Sequence, residues 1–348
     1  MNRECLPERV RVSLGSAIVL GLTEGMLDAE PTTAYLLTYR QGKCLANCGF
    51  CPQAKDSKGR ADMLSRVTWP PFPTGEVISR IGTAYKGGIV RRVCIQALNY
   101  PTVFEDLVSL LKGIRSNTEV PISVSCQPLN REKMKELREA GANRIGIPLD
   151  AVTEELFDKV KGRLANGPYV WKEQLKRLGE AVEVFGKGFV TTHLIAGLGE
   201  TEKEMVQMIQ WCVDMGIYPG LFSFTPIRGT ALEGNPQPPL SYYRRVQIAQ
   251  YLVTREETRY EKMKFSRDGR LIHFGVSEAK LRQAVKSGVP FITSGCPDCN
   301  RPYYNERPRG PIYNYPRPLL PEEIAETEEQ MVATNQQSLT ENYRDRVF

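Results

Sequence analysis

Hydrophobic positions alternate along this chain between short continuous apolar runs and longer segments with a single apolar face. The runs are typical of buried parallel strands, and the longer segments are typical of amphipathic helices that cover a sheet. Strands are predicted over 34–39, 90–97, 121–126, 143–147, 189–196, 221–224, within 262–274 and over 289–293. Helices are predicted over 8–28, 75–86, from 102, over 131–140, 153–161, 170–185, from 201, over 241–257 and 277–287.

This alternation predicts an α/β fold, a (β/α)8 TIM-type barrel with an N-terminal helix and a C-terminal irregular cap plus a short helix. A doubly wound open sheet is the competing arrangement, although no Gly-rich turn follows the first predicted strand. The expected division is an N-terminal helical extension over 1–32, the barrel over 33–295 and the cap over 296–348. Five glutamates between 322 and 329 predict an acidic, solvated helix within the cap.

Composition narrows the class of protein. In 348 residues, 46 Lys and Arg oppose 40 Asp and Glu, and a net charge of +6 is too mild to indicate a nucleic-acid partner. The longest apolar stretch near the N-terminus, 16–22, is too short to span a bilayer and lacks the features of a secretory signal, so no membrane partner is expected.

The sequence contains nine cysteines and two histidines. Their odd number predicts reduced thiols in the cytoplasm rather than a disulfide framework.

Seven of the nine cysteines are predicted to gather at one end of the barrel, because the C-terminal ends of its strands meet there. They follow or end strands one, two, three and eight, and they are Cys44, Cys48, Cys51, Cys94, Cys126, Cys296 and Cys299. Cys212 belongs to an apolar helical stripe and is interpreted as a core residue, whereas Cys5 is interpreted as a free thiol near the terminus. His193 and His273 are interpreted as hydrogen-bonded structural residues.

The CxxxCxxC spacing over 44–51 suits an iron–sulfur cube with one open iron. Three thiolates on a short loop can each reach a different iron, whereas a cubane takes four ligands. The remaining iron position would bind a small molecule directly, as open metal sites do in catalysis. A zinc loop is the alternative, but zinc sites usually pair CxxC with a second pair or with histidines, and no histidine lies in this region.

On this motif the chain resembles the radical S-adenosylmethionine superfamily. Phe50 before the last cysteine, and the phrases CGFCPQ (48–53), RRVCIQA (91–97), GLGET (197–201) and PIRGTAL (226–232), are similar to the biotin synthase branch. The resemblance covers about residues 10–295. It implies a [4Fe–4S] cluster whose open iron binds S-adenosylmethionine, and an external electron donor. Reductive cleavage would give a 5′-deoxyadenosyl radical that abstracts hydrogen from an unactivated C–H bond.

The same resemblance implies a set of cofactor contacts. The implied cofactor-binding residues are Phe50, Gly87, Gly88, Asp150, Gly197 and Gly199. Phe50 would contribute backbone contacts to adenine, the first glycine pair would lie beside the methionine moiety, and Asp150 would hold the ribose hydroxyls. Ile89 stands where the family has an acidic residue. A helix N-cap is the alternative role for Asp150, and the second glycine pair equally fits a simple turn.

Departures from biotin synthase define a second candidate site. That family holds an auxiliary cluster with cysteines from strands two, three and five and an arginine near strand eight. Cys94 and Cys126 match the first two, whereas the other two ligands fall at Thr191 and Val276. The CxxC pair after strand eight would restore four thiolates, the number that a second [4Fe–4S] cluster requires. A zinc knob that pins the tail is the alternative for this pair.

The segment GCPDCNRPYYNERPRGP (295–311) resembles the C-terminal signature of the biotin-synthase-like, two-protein form of lipoyl synthase. That resemblance implies sulfur insertion into an octanoyl chain on a carrier-protein lysine, with the auxiliary cluster as sulfur source and a second lipoyl synthase component as partner. The basic and aromatic residues of the segment are Arg301, Tyr303, Tyr304, Arg307 and Arg309. They would cap the barrel mouth and meet an acidic carrier domain, or simply pack and be solvated.

Two other functions remain open at this point. One is biotin-synthase-like sulfur insertion into a small molecule such as dethiobiotin, against which the missing cysteine and arginine count. The other is a non-catalytic iron–sulfur or zinc protein with a structural or electron-transfer role. An electron carrier, however, gains nothing from an incompletely ligated iron.

Overall fold

A computed structural model describes residues 6–306 and 309–332, and its main element is an eight-stranded sheet. The strands are β1 Arg9–Val12, β2 Thr33–Thr38, β3 Met63–Leu64, β4 Val67–Thr68, β5 Pro71–Pro73, β6 Arg92–Gln96, β7 Ile122–Ser125, β8 Arg144–Gly146, β9 Val190–Ala196, β10 Ile217–Ser223, β11 Lys264–Phe265 and β12 Leu271–His273. The helices are α1 Leu14–Val19, α2 Thr74–Lys86, α3 Val103–Asn117, α4 Arg131–Glu139, α5 Glu154–Val160, α6 Trp171–Phe185, α7 Glu202–Asp214, α8 Leu240–Thr254, α9 Glu278–Lys286 and α10 Pro321–Val332. Short 3₁₀ helices lie at Arg163–Ala165, Tyr260–Lys262 and Val289–Phe291.

The sheet order is β10-β9-β8-β7-β6-β2-β1-β5, and the six strands from β2 to β10 in this order are parallel. Consecutive parallel strands are neighbours, with a helix in every connection. This order is that of a barrel and excludes the doubly wound alternative, in which the strand order reverses. Among the described residues the sheet has two edges, β10 and β5, so it is open and not the predicted closed eight-stranded barrel.

The two missing barrel strands have different structures. The region 262–274 forms the separate antiparallel hairpin of β11 and β12, and 289–293 contains a 3₁₀ helix with Pro290 in its first turn. Proline lacks the N–H that a central strand donates to its neighbour. Short apolar runs do not by themselves distinguish a strand from a buried turn of helix, which is why the pattern was misleading in both places.

The predicted N-terminal helix over 8–28 is also wrong. Arg9–Val12 forms β1, antiparallel to both β2 and β5, and only Leu14–Val19 is helical. The Arg-Val-Arg-Val alternation has the strand period of two, and β-branched valine favours an extended backbone. The strand covers the outer edge of β2, the strand that leads into the first cysteine motif.

The irregular cap predicted after residue 295 is confirmed in its described part, and α10 is the predicted acidic helix. Arg244 of α8, fully buried, fixes this segment by donating hydrogen bonds to the carbonyl oxygens of Ile312 at 2.5 Å and Tyr313 at 2.7 Å. Its guanidinium also lies over the rings of Phe291 and Tyr315. Of the helices in the described ranges, none is both long and apolar enough to cross a membrane.

Candidate active site

One cavity at the C-terminal ends of the parallel strands is lined by six of the thirteen predicted cofactor and cluster residues. It has about 1230 Å³ of empty space, part of it open to solvent, which is room for more than one small molecule. Its walls include Tyr35, Phe50, Cys51, Cys94, Ser123, Asp150, Thr191, His193, Cys296, Cys299, Arg301 and Tyr304. Residues from the first cysteine motif, from all six parallel strands or the loops that follow them, and from the cap therefore meet around one space.

Cys44, Cys48 and Cys51, here called the first thiol group, lie on the loop after β2. The Cys44 sulfur accepts backbone N–H hydrogen bonds from Asn99 at 3.0 Å and from Ala46 at 3.4 Å. Burial raises the pKa of the Cys51 thiol, and the neighbouring Cys48 and Cys44 thiols raise it further. The three sulfurs are thus close enough to influence one another, and Cys51 faces the cavity.

The loop that carries this group is held by the last residue of α5 and by the 3₁₀ helix that follows it. The Gly49 N–H donates to the Val160 carbonyl at 2.7 Å, and the Asn47 side-chain amide donates to the Ala165 carbonyl at 2.7 Å. A Cβ at Gly49 would lie 3.3 Å from the Leu232 side chain, so glycine permits this close approach. The conformation of the cysteine loop is therefore fixed by contacts with residues more than 100 positions away in sequence.

Asp150, after β8, has its side chain on the cavity wall and a left-handed backbone with φ of 66°. Its carboxylate accepts a hydrogen bond from the Lys161 ammonium group at 2.6 Å. The N-cap of α5 is Thr153, whose hydroxyl accepts the Leu156 N–H at 3.2 Å. This excludes the helix-cap alternative for Asp150 and leaves its carboxylate available to a ligand.

Cys94, Cys296 and Cys299, here called the second thiol group, come together on another part of the cavity wall. Burial raises the pKa of the Cys94 thiol well above its usual range, and the Cys299 and Cys296 thiols raise it further. The Tyr35 hydroxyl lies 3.4 Å from the Cys299 sulfur, and the Ser123 hydroxyl donates to the Cys296 sulfur at 3.6 Å. A strand residue and the cap thus contribute to one group of neighbouring thiols.

Two arginines accompany the second thiol group. Buried Arg92 donates from Nε to the Pro297 carbonyl at 2.9 Å and from a terminal nitrogen to the Ser123 hydroxyl at 3.1 Å. Arg301 donates to the Ser294 carbonyl at 2.7 Å and lies 3.8 Å above the ring of Phe222. Within residues 6–306 and 309–332 neither guanidinium forms an ion pair. Both positive charges oppose the rise in the pKa of Cys94 and Cys299 that burial causes.

The structure does not bring Cys126, the fourth cysteine of the predicted set, together with this group. Ser123 and Ser125 of β7 line the cavity, whereas Cys126 is buried in the apolar core. Burial alone raises the pKa of its thiol to about 12, without any influence from another cysteine.

The glycines predicted at the methionine site, Gly87 and Gly88, lie elsewhere. They are exposed and follow α2, before the N-terminal end of β6, whereas the cavity lies at the other end of that strand. The φ of Gly88 is 72°, and Ile89 donates its N–H back to the Ala84 carbonyl at 2.9 Å. This is a glycine helix terminus, and the structure does not bring these two glycines to the cavity.

Gly197 and Gly199 form a turn at the C-terminal end of β9, with φ of 101° and 123°. The Gly197 N–H donates to the Glu200 carboxylate at 2.6 Å, and the Leu198 N–H donates to it at 3.0 Å. A Cβ at Gly197 would lie 2.8 Å from Pro238. Neither glycine lies on the cavity wall, so of the two roles considered for this pair the geometry supports the turn.

The surroundings of His193 are not those of the hydrogen-bonded structural histidine that the sequence analysis predicts. Its ring lies on the cavity wall with its centroid 4.8 Å from that of Phe222, and in the described part of the chain its ring nitrogens have no hydrogen-bond partner. Burial lowers its pKa to about 4, so the ring is neutral near pH 7. His273 is far from this wall, and its Nδ1 accepts the Gly275 N–H at 3.0 Å, consistent with a structural role.

Other predicted residues divide between the site and its surroundings. Cys212 is fully buried in the core, which confirms its interpretation. Arg301 and Tyr304 face inward, the Tyr303 hydroxyl is hydrogen-bonded to Asp28, and Arg309 is exposed. Cys5 and Arg307 lie outside the described residues.

Several residues beside the two thiol groups were not predicted from the sequence. They are Tyr35, Arg92, Asn99, Ser123, Lys161 and Tyr169. Arg92 was accessible in principle, since it stands two positions before Cys94 on β6 and shares its face. Lys161 gave no such signal, because only the fold places it next to Asp150.

Comparison with known proteins agrees with this arrangement. The Radical SAM superfamily profile matches residues 38–212, half of the chain, including the whole first thiol group. The chain belongs to the radical S-adenosylmethionine superfamily.

More specific similarities are at low identity. The chain is 24% identical over 225 residues to a biotin synthase from Persephonella marina, covering 62% of this chain and 61% of that protein. It is 23% identical over 269 residues to a biotin synthase from Streptococcus agalactiae, covering 75% of each. Thus the match spans about six tenths of the Persephonella protein and three quarters of the Streptococcus protein.

Two solved structures share the fold. Methylornithine synthase (PylB) has a TM-score of 0.51 and 18% identity, over 69% of this chain and 66% of that chain. The FeFe-hydrogenase maturase HydG from Carboxydothermus hydrogenoformans has a TM-score of 0.52 and 13% identity, over 70% of this chain and 56% of that chain.

Membership of this superfamily implies a [4Fe–4S] cluster and S-adenosylmethionine, and the first thiol group fits them. Three thiols lie on one loop, backbone N–H groups point at Cys44, and the adjoining cavity is walled by Phe50 and Asp150. In the described ranges no group of three or more histidine, cysteine, aspartate or glutamate side chains could hold a metal ion. A single ion needs all its ligands around one point, whereas in a cubane each thiolate binds a separate iron, so the thiols can lie further apart.

Proposed function

We propose that this protein is a sulfurtransferase of the superfamily, one component of a lipoyl synthase, that inserts sulfur at unactivated C–H positions of an octanoyl chain on a carrier-protein lysine. The observation that carries the proposal is the second thiol group. It shares a cavity with the first thiol group, so a substrate held between them would be within reach of both. A radical enzyme that only abstracts hydrogen has no need of it.

Cys44, Cys48 and Cys51 would hold the radical-generating cluster, and Phe50 and Asp150 would line the cofactor site. When bound, the cluster and S-adenosylmethionine supply the 5′-deoxyadenosyl radical that removes hydrogen from the substrate. The protein must keep water from this chemistry. The Tyr304 ring contributes by filling the space beside Tyr35 and Trp69, at centroid distances of 5.2 Å and 5.8 Å.

Cys94, Cys296 and Cys299 would bind three irons of a second [4Fe–4S] cluster that serves as the sulfur source, and its fourth iron would take a ligand other than these three thiolates. Arg92 and Arg301 would offset the negative charge of thiolates in a buried site, where an uncompensated charge is costly. The Tyr35 hydroxyl accepts the Arg301 backbone N–H at 2.9 Å, which leaves its own proton for the Cys299 sulfur. Hydrogen bonds to ligand sulfurs are among the factors that set the potential of such clusters.

The cavity wall suits an alkyl chain. Apolar side chains of the strands and of the loop after β10 form part of it, namely Val124, Ile195, Phe222, Phe224 and Ile227. An octanoyl chain offers nothing but C–H groups along its length, so apolar contact is how a protein would bind it. The net charge of +6 would aid encounter with an acidic carrier domain.

Sulfur insertion into dethiobiotin is the second candidate, and the biotin synthase relatives favour it. The wall residue Thr191 stands where that family has its third cysteine ligand, and threonine does not replace a thiolate. A guanidinium does lie beside the second thiol group, but Arg301 comes from the cap and not from the region of strand eight. A carrier of electrons without catalysis is the third possibility and predicts no product from either substrate.

The test is a competition between substrates. Anaerobically reconstituted protein, with reductant, S-adenosylmethionine and the partner component, would receive an octanoyl-lysyl peptide and dethiobiotin together, and mass spectrometry would follow both. Sulfur gained by the peptide supports the proposal. Sulfur gained by dethiobiotin alone would transfer the assignment to the biotin-synthase-like reaction. Production of 5′-deoxyadenosine without sulfur in either molecule would overturn both.

A further inference from the structure

Lys161 and Asp150 form a buried ion pair behind the cavity wall. Their side chains are 4% and 8% exposed, and the ammonium nitrogen lies 2.6 Å from Oδ2 of the carboxylate. The same ammonium group donates to the Pro148 carbonyl at 2.8 Å. Burial of two charges is costly unless the geometry is good, so such a pair at a ligand site calls for a role beyond stability.

The pair leaves one face of the carboxylate available. Oδ2 is bound to Lys161, whereas Oδ1 has no hydrogen-bond partner among the described residues, and Asp150 lines the cavity. The backbone at this position is fixed as well. The Asp150 N–H donates to the His193 carbonyl, and its own carbonyl accepts the Ile195 N–H, both at 2.8 Å. The left-handed φ of 66° is thus imposed by β9 and directs the side chain.

Lys161 also connects this carboxylate to the first thiol group. It ends α5, directly after Val160, whose carbonyl binds the cysteine loop at Gly49. Its ammonium group lies 5.0 Å from the centroid of the Tyr169 ring, and the Tyr169 hydroxyl accepts a hydrogen bond from the Asn99 side chain at 3.2 Å. The positive charge of Lys161 also acts on Cys48, where it opposes the effect of burial on the pKa.

We propose that Lys161 is a positioning residue that holds Asp150 with Oδ2 fixed and Oδ1 presented to the vicinal hydroxyls of the S-adenosylmethionine ribose. Without the ammonium group, a buried carboxylate in this place takes up a proton or rotates, and it then ceases to be a double acceptor. This inference rests on the cofactor chemistry of the superfamily and not on sulfur insertion, so either can fail without the other.

The experiment is a double-mutant cycle on the reconstituted protein. The variants are Lys161→Met, Asp150→Asn, the double variant, Lys161→Arg and, as a control, Lys159→Met on the exposed side of the same helix. S-adenosylmethionine affinity would be measured by calorimetry, with iron content and thermal unfolding measured in parallel. Removing a charged hydrogen-bonding group is expected to weaken affinity by about tenfold or more.

The proposal requires three results together. Lys161→Met and Asp150→Asn weaken binding to a similar degree, and the double variant binds no more weakly than either. Lys161→Arg regains most of the S-adenosylmethionine affinity that Lys161→Met loses. Lys159→Met binds S-adenosylmethionine as tightly as the unaltered protein does. The double variant regains thermal stability relative to the single variants, because no unpaired charge is left buried, yet its affinity stays low.

Other outcomes contradict the proposal. Wild-type affinity in Lys161→Met, or losses that multiply in the double variant, would show that Asp150 acts without Lys161. An affinity that recovers together with stability would show a purely structural pair. If Lys161→Met fails to retain its iron, Lys161→Gln and Lys161→Arg decide the matter, since equal and normal affinity in both would also overturn the proposal.

Discussion

The two thiol groups share a cavity but are assembled in opposite ways. The first takes its three cysteines from eight consecutive residues on one loop, whereas the second joins Cys94 of β6 to a pair 200 residues further along the chain. The positive charge beside the first group is that of Lys161, and the positive charges beside the second group are those of Arg92 and Arg301. One site is therefore local and the other exists only when the cap is folded over the strands.

This difference suggests a division of labour. A local site remains intact when the cap moves, which suits a cofactor that must always be held. A site completed by the cap depends on docking of that segment, and it can be opened, emptied and rebuilt without disturbing the first. That property suits a cluster consumed as a sulfur source.

The largest expected effect comes from removing one thiol from each group in turn. Cys48→Ala should abolish 5′-deoxyadenosine formation, because a cubane with two protein thiolates is poorly held. Cys299→Ala should leave that reaction in place and abolish sulfur transfer. Each variant is expected to retain about four of about eight irons, as measured by iron and sulfide analysis.

The matched control for these variants is Cys126→Ala. Its thiol is as buried as the others but faces the core, so iron content and both reactions should stay near those of the unaltered protein. Loss of about four irons in this variant would restore Cys126 to the ligand set and contradict the structure.

A smaller effect is expected when the cap is loosened without changing any thiol. Arg244→Met would remove the hydrogen bonds to the Ile312 and Tyr313 carbonyls, of which the second keeps its bond from the Gln247 side-chain amide, and should lower the free energy of unfolding by about 2–4 kcal/mol. Iron should be lost from the second cluster faster than from the first, followed by absorbance during chelation. Arg282→Met on the exposed face of α9 is the control. Equal loss from both clusters would remove the distinction between a local and a cap-dependent site.

The smallest effect concerns the hydrogen bond to Cys299. Tyr35→Phe removes a donor to a ligand sulfur and should lower the midpoint potential of the second cluster by about 30–60 mV, because the thiolate charge is then less stabilised. The first cluster should not change. Redox titration followed by electron paramagnetic resonance separates the two, and Tyr303→Phe, which removes a hydroxyl bonded to Asp28, is the control.

The cysteines of the local site could be predicted from sequence, since their spacing alone indicates the chemistry. The six parallel strands were also predicted, because each contains a short apolar run between helical segments. The place of Cys126 could not be predicted in the same way, because it follows the last residue of β7, and spacing along the chain does not show whether such a residue meets the cavity or the core. Gly87 and Gly88 were misread because a glycine pair beside a strand serves equally to end a helix. Lys161 was missed because its partner is distant in sequence and no local pattern marks a buried ion pair.

The proposed reaction requires that the second cluster be the source of the inserted sulfur. The most direct test is to rebuild the protein with ³⁴S-labelled sulfide, remove free sulfide, and measure the isotope in the product of a single turnover on an octanoyl-lysyl peptide. The account predicts ³⁴S in the peptide product, with Cys126→Ala behaving in the same way and Cys299→Ala giving no sulfur-containing product. Unlabelled sulfur in the peptide, or labelled product from Cys299→Ala, would contradict it.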